Sequence, residues 1–441
     1  MASPVPGARA LCLIGLIVVM IPGAAAGQVL TTLEFSFSNP GARSMGLGGA
    51  FVALADDATA AFANPAGLVQ LVQPEISIEG RSWSYSTPYT QGGRAAGDPT
   101  GLGIDTVAGP LEGRSSVDLT GISFVSFVYP RKRWSVAVFQ HQLTNFEMNQ
   151  EIQGLFAPGT VHANSYRGPI ERGFFDLDVV AHGVSMGARV SETLTLGLGI
   201  SRFGPSVTLR GFEYLPDEDT AESYFSESSF RSDRLVDVVT ARDTDSDWGL
   251  AAGFLWRVSD RWQIGGAYRE GPELEMVFVA EAGPAHETVP AGGGVGSATT
   301  PWVFPDVYGL GVAYRSSNEL WTASFEWARV EYSTIYDSLN PPVNSPDSSI
   351  DDGDELHLGG EYVFLDSMPV VALRAGLWSD PDHQTKSDSR SPFIQAELIP
   401  GSDELHYGIG LGVAYPAFQI DLGIDLSELR DTASLSAIFS F

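Results

Sequence analysis

From Gln73 to Phe441 one pattern recurs fourteen times: alternate residues are Leu, Val, Ile, Trp, Tyr or Phe, and those between them are Gly, Ser, Thr, Ala or charged. A period of two places the two sets on opposite faces of a strand. The connections alternate as regularly as the strands. Those at 130–132, 191–192, 259–260, 316–319, 365–369 and 416–417 are short, whereas 86–116, 149–173, 216–246, 282–305, 333–354 and 380–403 are long. Only the last long-side hairpin, at 428–431, is brief. A soluble sheet shows such alternation once or twice. Fourteen repeats in succession predict an all-β chain, a 14-stranded antiparallel transmembrane β-barrel, closed because an open sheet edge is not tolerated in lipid. The even count returns both chain ends to the short-turn, periplasmic side.

The strand reading is 75–85, 117–129, 133–148, 174–190, 193–215, 247–258, 261–281, 306–315, 320–332, 355–364, 370–379, 404–415, 418–427 and 432–441. Several segments exceed the roughly 9–11 residues that cross a bilayer, so some strands are expected to project outward. In the thirteenth, Phe418, Ile420, Leu422, Ile424 and Leu426 share one face, and Gln419, Asp421, Gly423 and Asp425 the other. In the eleventh, Val371, Leu373, Ala375 and Leu377 are expected to face lipid. A slip by one residue would turn Arg374 to the lipid at a cost of about 2–4 kcal/mol near the midplane. Aromatic residues bracket the short turns on the outward face: Tyr129 and Trp134, Trp256 and Trp262, Tyr314 and Trp321, Tyr415 and Phe418. Such rings form a membrane-interface girdle.

Residues 1–26 read as a signal peptide: Arg9, an apolar run over 11–21, then Pro22-Gly23 and Ala24-Ala25-Ala26 before the cut. The single cysteine, Cys12, lies inside that leader, so the mature chain is expected to lack disulfides, thiol catalysis and thiolate metal sites. Removing Arg9 with the leader leaves 24 basic against 54 acidic residues. That balance argues against nucleic-acid partners. The acids gather in the long loops, at 216–222, 243–247 and 347–355, as a solvated and repulsive surface. None of the seven histidines stands in a nucleophile motif. Asp380, Asp382 and His383 lack further ligands, and the series Asp243, Asp245, Asp247 lacks the glycine and glutamate of a calcium loop. The chain is therefore read as no enzyme, with no cofactor and no metal.

Residues 27–73 do not read as strands, and 74–441 read as the barrel. At the centre of the first segment stands Met45-Gly46-Leu47-Gly48-Gly49-Ala50, followed by Asp56-Asp57 and Asn64-Pro65-Ala66-Gly67-Leu68. The glycines allow close backbone approach. Asp56 or Asp57 is placed to cap a short helix over 58–62, and Asn64-Pro65 to end it. A compact, small-residue unit ahead of a barrel is suited to fold inside it as a plug.

This stretch, over roughly 42–71, closely resembles the N-terminal hatch of the FadL family of outer-membrane transport proteins for long-chain fatty acids and other hydrophobic compounds. The resemblance implies a 14-stranded barrel in the bacterial outer membrane with a hatch in its lumen. It also implies passive uptake of hydrophobic small molecules, collected at the loops, passed by the hatch and released sideways through a break in the wall. By motif it assigns Asn64, Pro65 and Ala66 as the hatch signature, supported by Gly46, Gly48, Gly49, Asp56 and Asp57. Outer-membrane lipids are the surroundings, and a monomer is expected. The alternatives are a related assembly or secretion partner of the PorV kind, or a general porin.

The family's opening is associated with a kinked third strand, yet 134–148 contains neither glycine nor proline. Gly204-Pro205 and Gly271-Pro272 are the visible internal breakers and the candidate edges of a lateral opening. A fatty acid needs an apolar sleeve and one cation, whereas a hydrocarbon needs only the sleeve. Inward-facing Arg257, Arg269, Arg315 and Arg374 are the candidate ligand contacts, with Glu326, Glu361, Asp421 and Asp425 able to pair them instead. Phe212, Tyr214, Tyr224, Phe225, Phe230, Trp302 and Phe304 are candidates for an external collecting groove.

Overall fold

The computed structural model describes residues 37–243, 245–286, 296–339 and 347–441. The expected signal peptide lies outside the described residues. The barrel strands, in chain order, are β1 (Glu75–Arg94), β2 (Gly109–Pro130), β3 (Trp134–Ile152), β4 (Ile170–Arg189), β5 (Leu194–Tyr214), β6 (Asp247–Arg257) and β7 (Trp262–Arg269). They continue with β8 (Val307–Arg315), β9 (Trp321–Val330), β10 (Gly353–Phe364), β11 (Val370–Asp380), β12 (Glu404–Ala414), β13 (Phe418–Leu426) and β14 (Arg430–Ser440). Each is antiparallel to its sequence neighbours, and β1 closes the cylinder on β14 from Glu75↔Ser440 to Tyr85↔Arg430.

The register is the one the apolar parity requires. Leu373, Leu377, Phe418, Ile420, Leu422 and Leu435 are exposed, while Arg374, Asp421, Asp425 and Ser434 are buried inside. Trp134, Trp256, Trp262, Trp321, Tyr415 and Phe418 form an exposed ring at the short turns. A second ring, Trp248, Tyr308, Trp327 and Tyr407, bounds the apolar belt at its other edge. Each ring straddles apolar and aqueous surroundings, as amphipathic side chains do.

The wall departs from the expected strands in two places. First, the expected long loops carry sheet. Residues 235–243, 273–282 and 296–303 extend the wall outward beyond β6, β7 and β8 and pair in turn with β5 and one another. The expected continuous strand 261–281 is therefore broken at 270–272. Pro272 and Pro305 supply no amide donor there. Carboxylates replace lost ladder bonds: Glu270 Oε2 accepts from Leu250 N at 2.9 Å, Asp306 Oδ1 from Gly271 N at 2.9 Å, and Asp247 Oδ2 from Glu273 N at 2.8 Å.

Second, the β2–β3 ladder stops at Phe124↔His141. Beyond it β2 stays on β1 as far as Gly109↔Arg94, and β3 stays on β4 as far as Ile152↔Glu171. The two diverging edges are linked by Asn149 N donating to Ser115 Oγ at 2.8 Å. β3 does this without glycine or proline, through a one-residue irregularity between Gln142 and Thr144. A bulge bends and twists a strand at any residue type, which is why composition alone did not reveal it.

Candidate functional site

Residues 37–72 lie against the inner wall. They run through α1 (Ala42–Gly46), a turn, α2 (Ala60–Ala63) and a 3₁₀ segment, Pro65–Gln70. The fit depends on inward-facing wall glycines. A Cβ on Gly376 would stand 2.2 Å from Gly48 N, one on Gly197 2.1 Å from Ala66 N, and one on Gly408 2.6 Å from Met45 O. Within this segment, Gly48 and Gly49 have φ of +61° and +80°, which other residues adopt only with strain.

The expected hatch signature is a set of anchors. Asn64 Oδ1 caps the 3₁₀ segment by accepting from Ala66 N at 3.1 Å, with Pro65 at the first position. Asn64 Nδ2 donates to Val52 O at 2.9 Å and across to Phe254 O of β6 at 3.1 Å. Asp57 Oδ1 accepts from Thr59 N at 2.9 Å, just ahead of α2. Asp56 joins Arg43 and, at 3.1 Å, Arg315. Burial opposes ionisation of Asp56, but the two guanidiniums overrule it and hold its carboxyl below the usual carboxylate range. Glu326 on β9 accepts from Phe51 N and Val52 N, each at 2.8 Å, so the wall satisfies amides of the turn.

The four candidate arginines separate. Arg257 is exposed at the short-turn end and donates to Glu192 O at 2.7 Å, away from the lumen cavity. Arg315 is half-exposed and pairs with Asp56 of the N-terminal segment. Arg374 is buried between Glu361 at 2.7 Å and Asp421 at 2.7 Å. Arg43 of α1 shares Glu361 at 3.1 Å, which ties that helix into the same network. Arg269 alone of the four reaches the lumen cavity beside residues 37–72. Its guanidinium meets neutral acceptors, Asn39 Oδ1 at 2.9 Å and Ala63 O at 3.4 Å, and lies over the Phe62 ring at 5.1 Å.

That cavity is also lined by Arg81, Arg430, Glu355, His357 and Trp378, which the sequence reading did not single out. The parity of Trp83 and Tyr85 on β1 would have put Arg81 inside; no local pattern distinguishes the others. Outward of the cavity rises an apolar column that includes Phe37, Trp83, Phe146, Phe175, Phe203 and Trp302. A second cavity runs from Phe62, Phe139 and Phe203 to Gly249, Leu250 and Gly271, reaching the wall where the ladder is broken. Leu250 is 57% exposed on the outer face at that point. Gly204 and Pro205 sit in an unbroken ladder with β4, opposite Val180 and Val179. On their other side the partner strand is interrupted between Asp243 and Asp247.

The loop aromatics divide. Trp302 and Phe304 belong to the buried column. Tyr224 and Phe225 pack with Phe156 in a separate loop core, and Tyr214 meets Phe230 edge-on at 5.5 Å.

Residues 16–433 match the family described as outer membrane protein transport protein (OMPP1/FadL/TodX). Among solved structures, the chain is similar to a Pseudomonas aeruginosa FadL homologue, at 17% identity and a TM-score of 0.64 over 92% of this chain and 100% of that one. It is also similar to the P. putida toluene transporter TodX, at 14% identity and a TM-score of 0.56 over 92% and 99%. The Ralstonia pickettii toluene transporter TbuX aligns at 15% identity and a TM-score of 0.52 over 92% and 100%. These likenesses establish the fold. No curated relative matches the chain by sequence.

Proposed function

From the premise that this chain belongs to the OMPP1/FadL/TodX family of outer-membrane transport proteins, we propose that it passes hydrophobic small molecules, passively, from its outer loops into the apolar column and past the hatch. The family consists of transport channels and not enzymes. The observation that carries the reading is the column itself: an apolar interior in a barrel whose outer loops are acidic and whose lower lumen is occupied by residues 37–72. A polar-solute pore would line this space with charge and water. Residues 27–73 act in this reading as the closure. The similar proteins described as toluene transporters accord with cargo that needs a sleeve before it needs a charge.

Arg269 is the candidate cation for cargo with an anionic end, because its acceptors are neutral and it borders both cavities. Release sideways is assigned to two places. One is the diverging edge of β2 and β3 beyond Phe124 and His141. The other is the break at Gly271-Pro272, reached by the second cavity. Gly204-Pro205 flanks the same break.

The test is mass spectrometry of compounds retained after gentle extraction, for the native chain and for Arg269→Gln. Retained apolar or amphiphilic molecules, with acids depleted in the variant, support the reading. A lumen that retains only water and ions refutes it. Deleting residues 27–67 is expected to leave an inserted barrel leaky to small polar solutes, and unchanged conductance counts against the closure.

A further inference from the structure

We propose that His357 and Glu355 form a latch for the hatch, closed by a single proton held between them. The inference rests on the reading of residues 37–72 as a closure. His357 stands on β10 with both ring nitrogens committed. Nδ1 is 2.8 Å from the carbonyl oxygen of Gly48, and Nε2 is 3.2 Å from Glu355 Oε2. A carbonyl only accepts, so Nδ1 carries a hydrogen and donates it to the hatch. Nε2 then faces a carboxylate oxygen. Two lone pairs cannot meet there, so a proton lies between Nε2 and Oε2, whether it is counted on the imidazole or on the acid.

The wall fixes this geometry. Trp378 of β11 stacks on the imidazole at 5.3 Å and 15°, and its other neighbour His406 lies at 3.9 Å and 23°. Glu355 Oε1 accepts from Tyr332 Oη at 3.1 Å. Tyr332 is itself stacked on His383 of the long β11–β12 connection at 4.3 Å. On the hatch side, Gly49 makes room: a Cβ there would stand 2.8 Å from His357 Nδ1. The charged groups around the pair are Glu326 on β9, which accepts from Phe51 N and Val52 N, and Arg269 on β7. Across the same cavity stand Arg81, Asp425 and Arg430. The hatch residues between Gly46 and Val52 carry no titratable side chain of their own.

Raising the pH removes the proton. The neutral imidazole keeps Nδ1–H on Gly48, but its Nε2 lone pair then opposes an ionised Glu355, and the ring is driven out of position. The latch therefore holds while that proton is present and releases once rising pH removes it. A conservative change separates proton from structure. In Glu355→Gln the amide oxygen still accepts from Tyr332, while the amide N–H donates to neutral Nε2. That closes the latch without the shared proton.

The experiment is ionic conductance of the full chain in planar bilayers from about pH 6 to about pH 10. The variants are His357→Phe, Glu355→Gln and, as an independent displacement of the hatch, Gly376→Ala. Insertion is checked by the heat-dependent gel shift of a folded barrel. The native protein is expected to conduct little at the low end of that range and at least about tenfold more at the high end, the scale of one charge-assisted hydrogen bond. His357→Phe is expected to conduct at every pH with a flat alkaline limb. Glu355→Gln is expected to stay closed and flat. A silent His357→Phe beside a conducting Gly376→Ala overturns the latch and leaves the closure standing. Silence in both overturns the closure and the latch with it. A Glu355→Gln profile that tracks the native one overturns the shared proton.

Discussion

Gly376→Ala tests the seat of the hatch with one methyl group. Gly376 lies inward on β11, paired with Gly359 of β10 and Gly408 of β12. Its Cβ would stand 2.2 Å from Gly48 N, 2.3 Å from Leu47 C and 2.6 Å from Leu47 O. All three are backbone atoms, so no side chain can swing aside. The wall is held by ladders on both edges, and the hatch must yield, by more than about 1 Å to regain an ordinary contact. Overpacking of this kind costs about 1–3 kcal/mol. The displaced turn also loses the alignment of Gly48 O with His357. Taking about 2 kcal/mol as the balance, the unseated fraction rises roughly thirtyfold. Conductance of small ions through single barrels in planar bilayers reads that fraction directly. Gly360→Ala on the adjacent strand is the control, because its Cβ would meet only Ala375 O at 3.9 Å. Conductance of Gly376→Ala equal to that of Gly360→Ala and the native chain would refute the argument that the hatch is seated by backbone contact.

Arg374→Met leaves Glu361 and Asp421 buried without their shared partner, and is expected to destabilise the barrel by about 3–5 kcal/mol in a urea titration of the folded gel band; a loss under about 1 kcal/mol would contradict that pairing. Leu373→Arg, on the lipid face one residue away, is expected to lower the stability of barrels folded into vesicles by about 2–4 kcal/mol, and a neutral result would mean the register is wrong. Acid acts on the other anchor. Asp56 is held below the usual carboxylate range, so its ion pairs contribute fully above about pH 4 and are lost as pH falls through the depressed value. Conductance is expected to rise on acidification in the native chain, and Asp56→Asn is expected to show that raised level already at neutral pH with no acid limb.

Much of the wall was legible because lipid applies the same rule to each strand separately. Parity alone sent Leu373 out and Arg374 in, and the alternation of short and long connections gave the strand count and the side of the chain ends. Asn64 stood out in the sequence as part of a motif, and its side-chain amide bridges the turn and β6 by donating to Val52 O and Phe254 O. Height and cross-lumen partners were not legible. Arg257 and Arg269 both lie on inward-reading strands, yet one ends at the short turns and the other borders both cavities. The expected strand 261–281 was broken because Pro272, opposite Phe304, and the adjacent Pro305 remove amide donors from neighbouring strands at one place, which only the alignment of those strands reveals. The break between β2 and β3 left no trace in composition, since a bulge shifts register without needing glycine or proline.

The amino-acid order alone settled how many strands there are, which face of each meets lipid and where the aromatic ring at the short turns stands, because desolvation judges every side chain where it stands. Closure of the cylinder decided the rest. Only when β14 returns to β1 do residues hundreds of positions apart, such as Gly48 and His357 or Arg43 and Glu361, come within bonding distance, and those contacts depend on curvature and packing that no local pattern records.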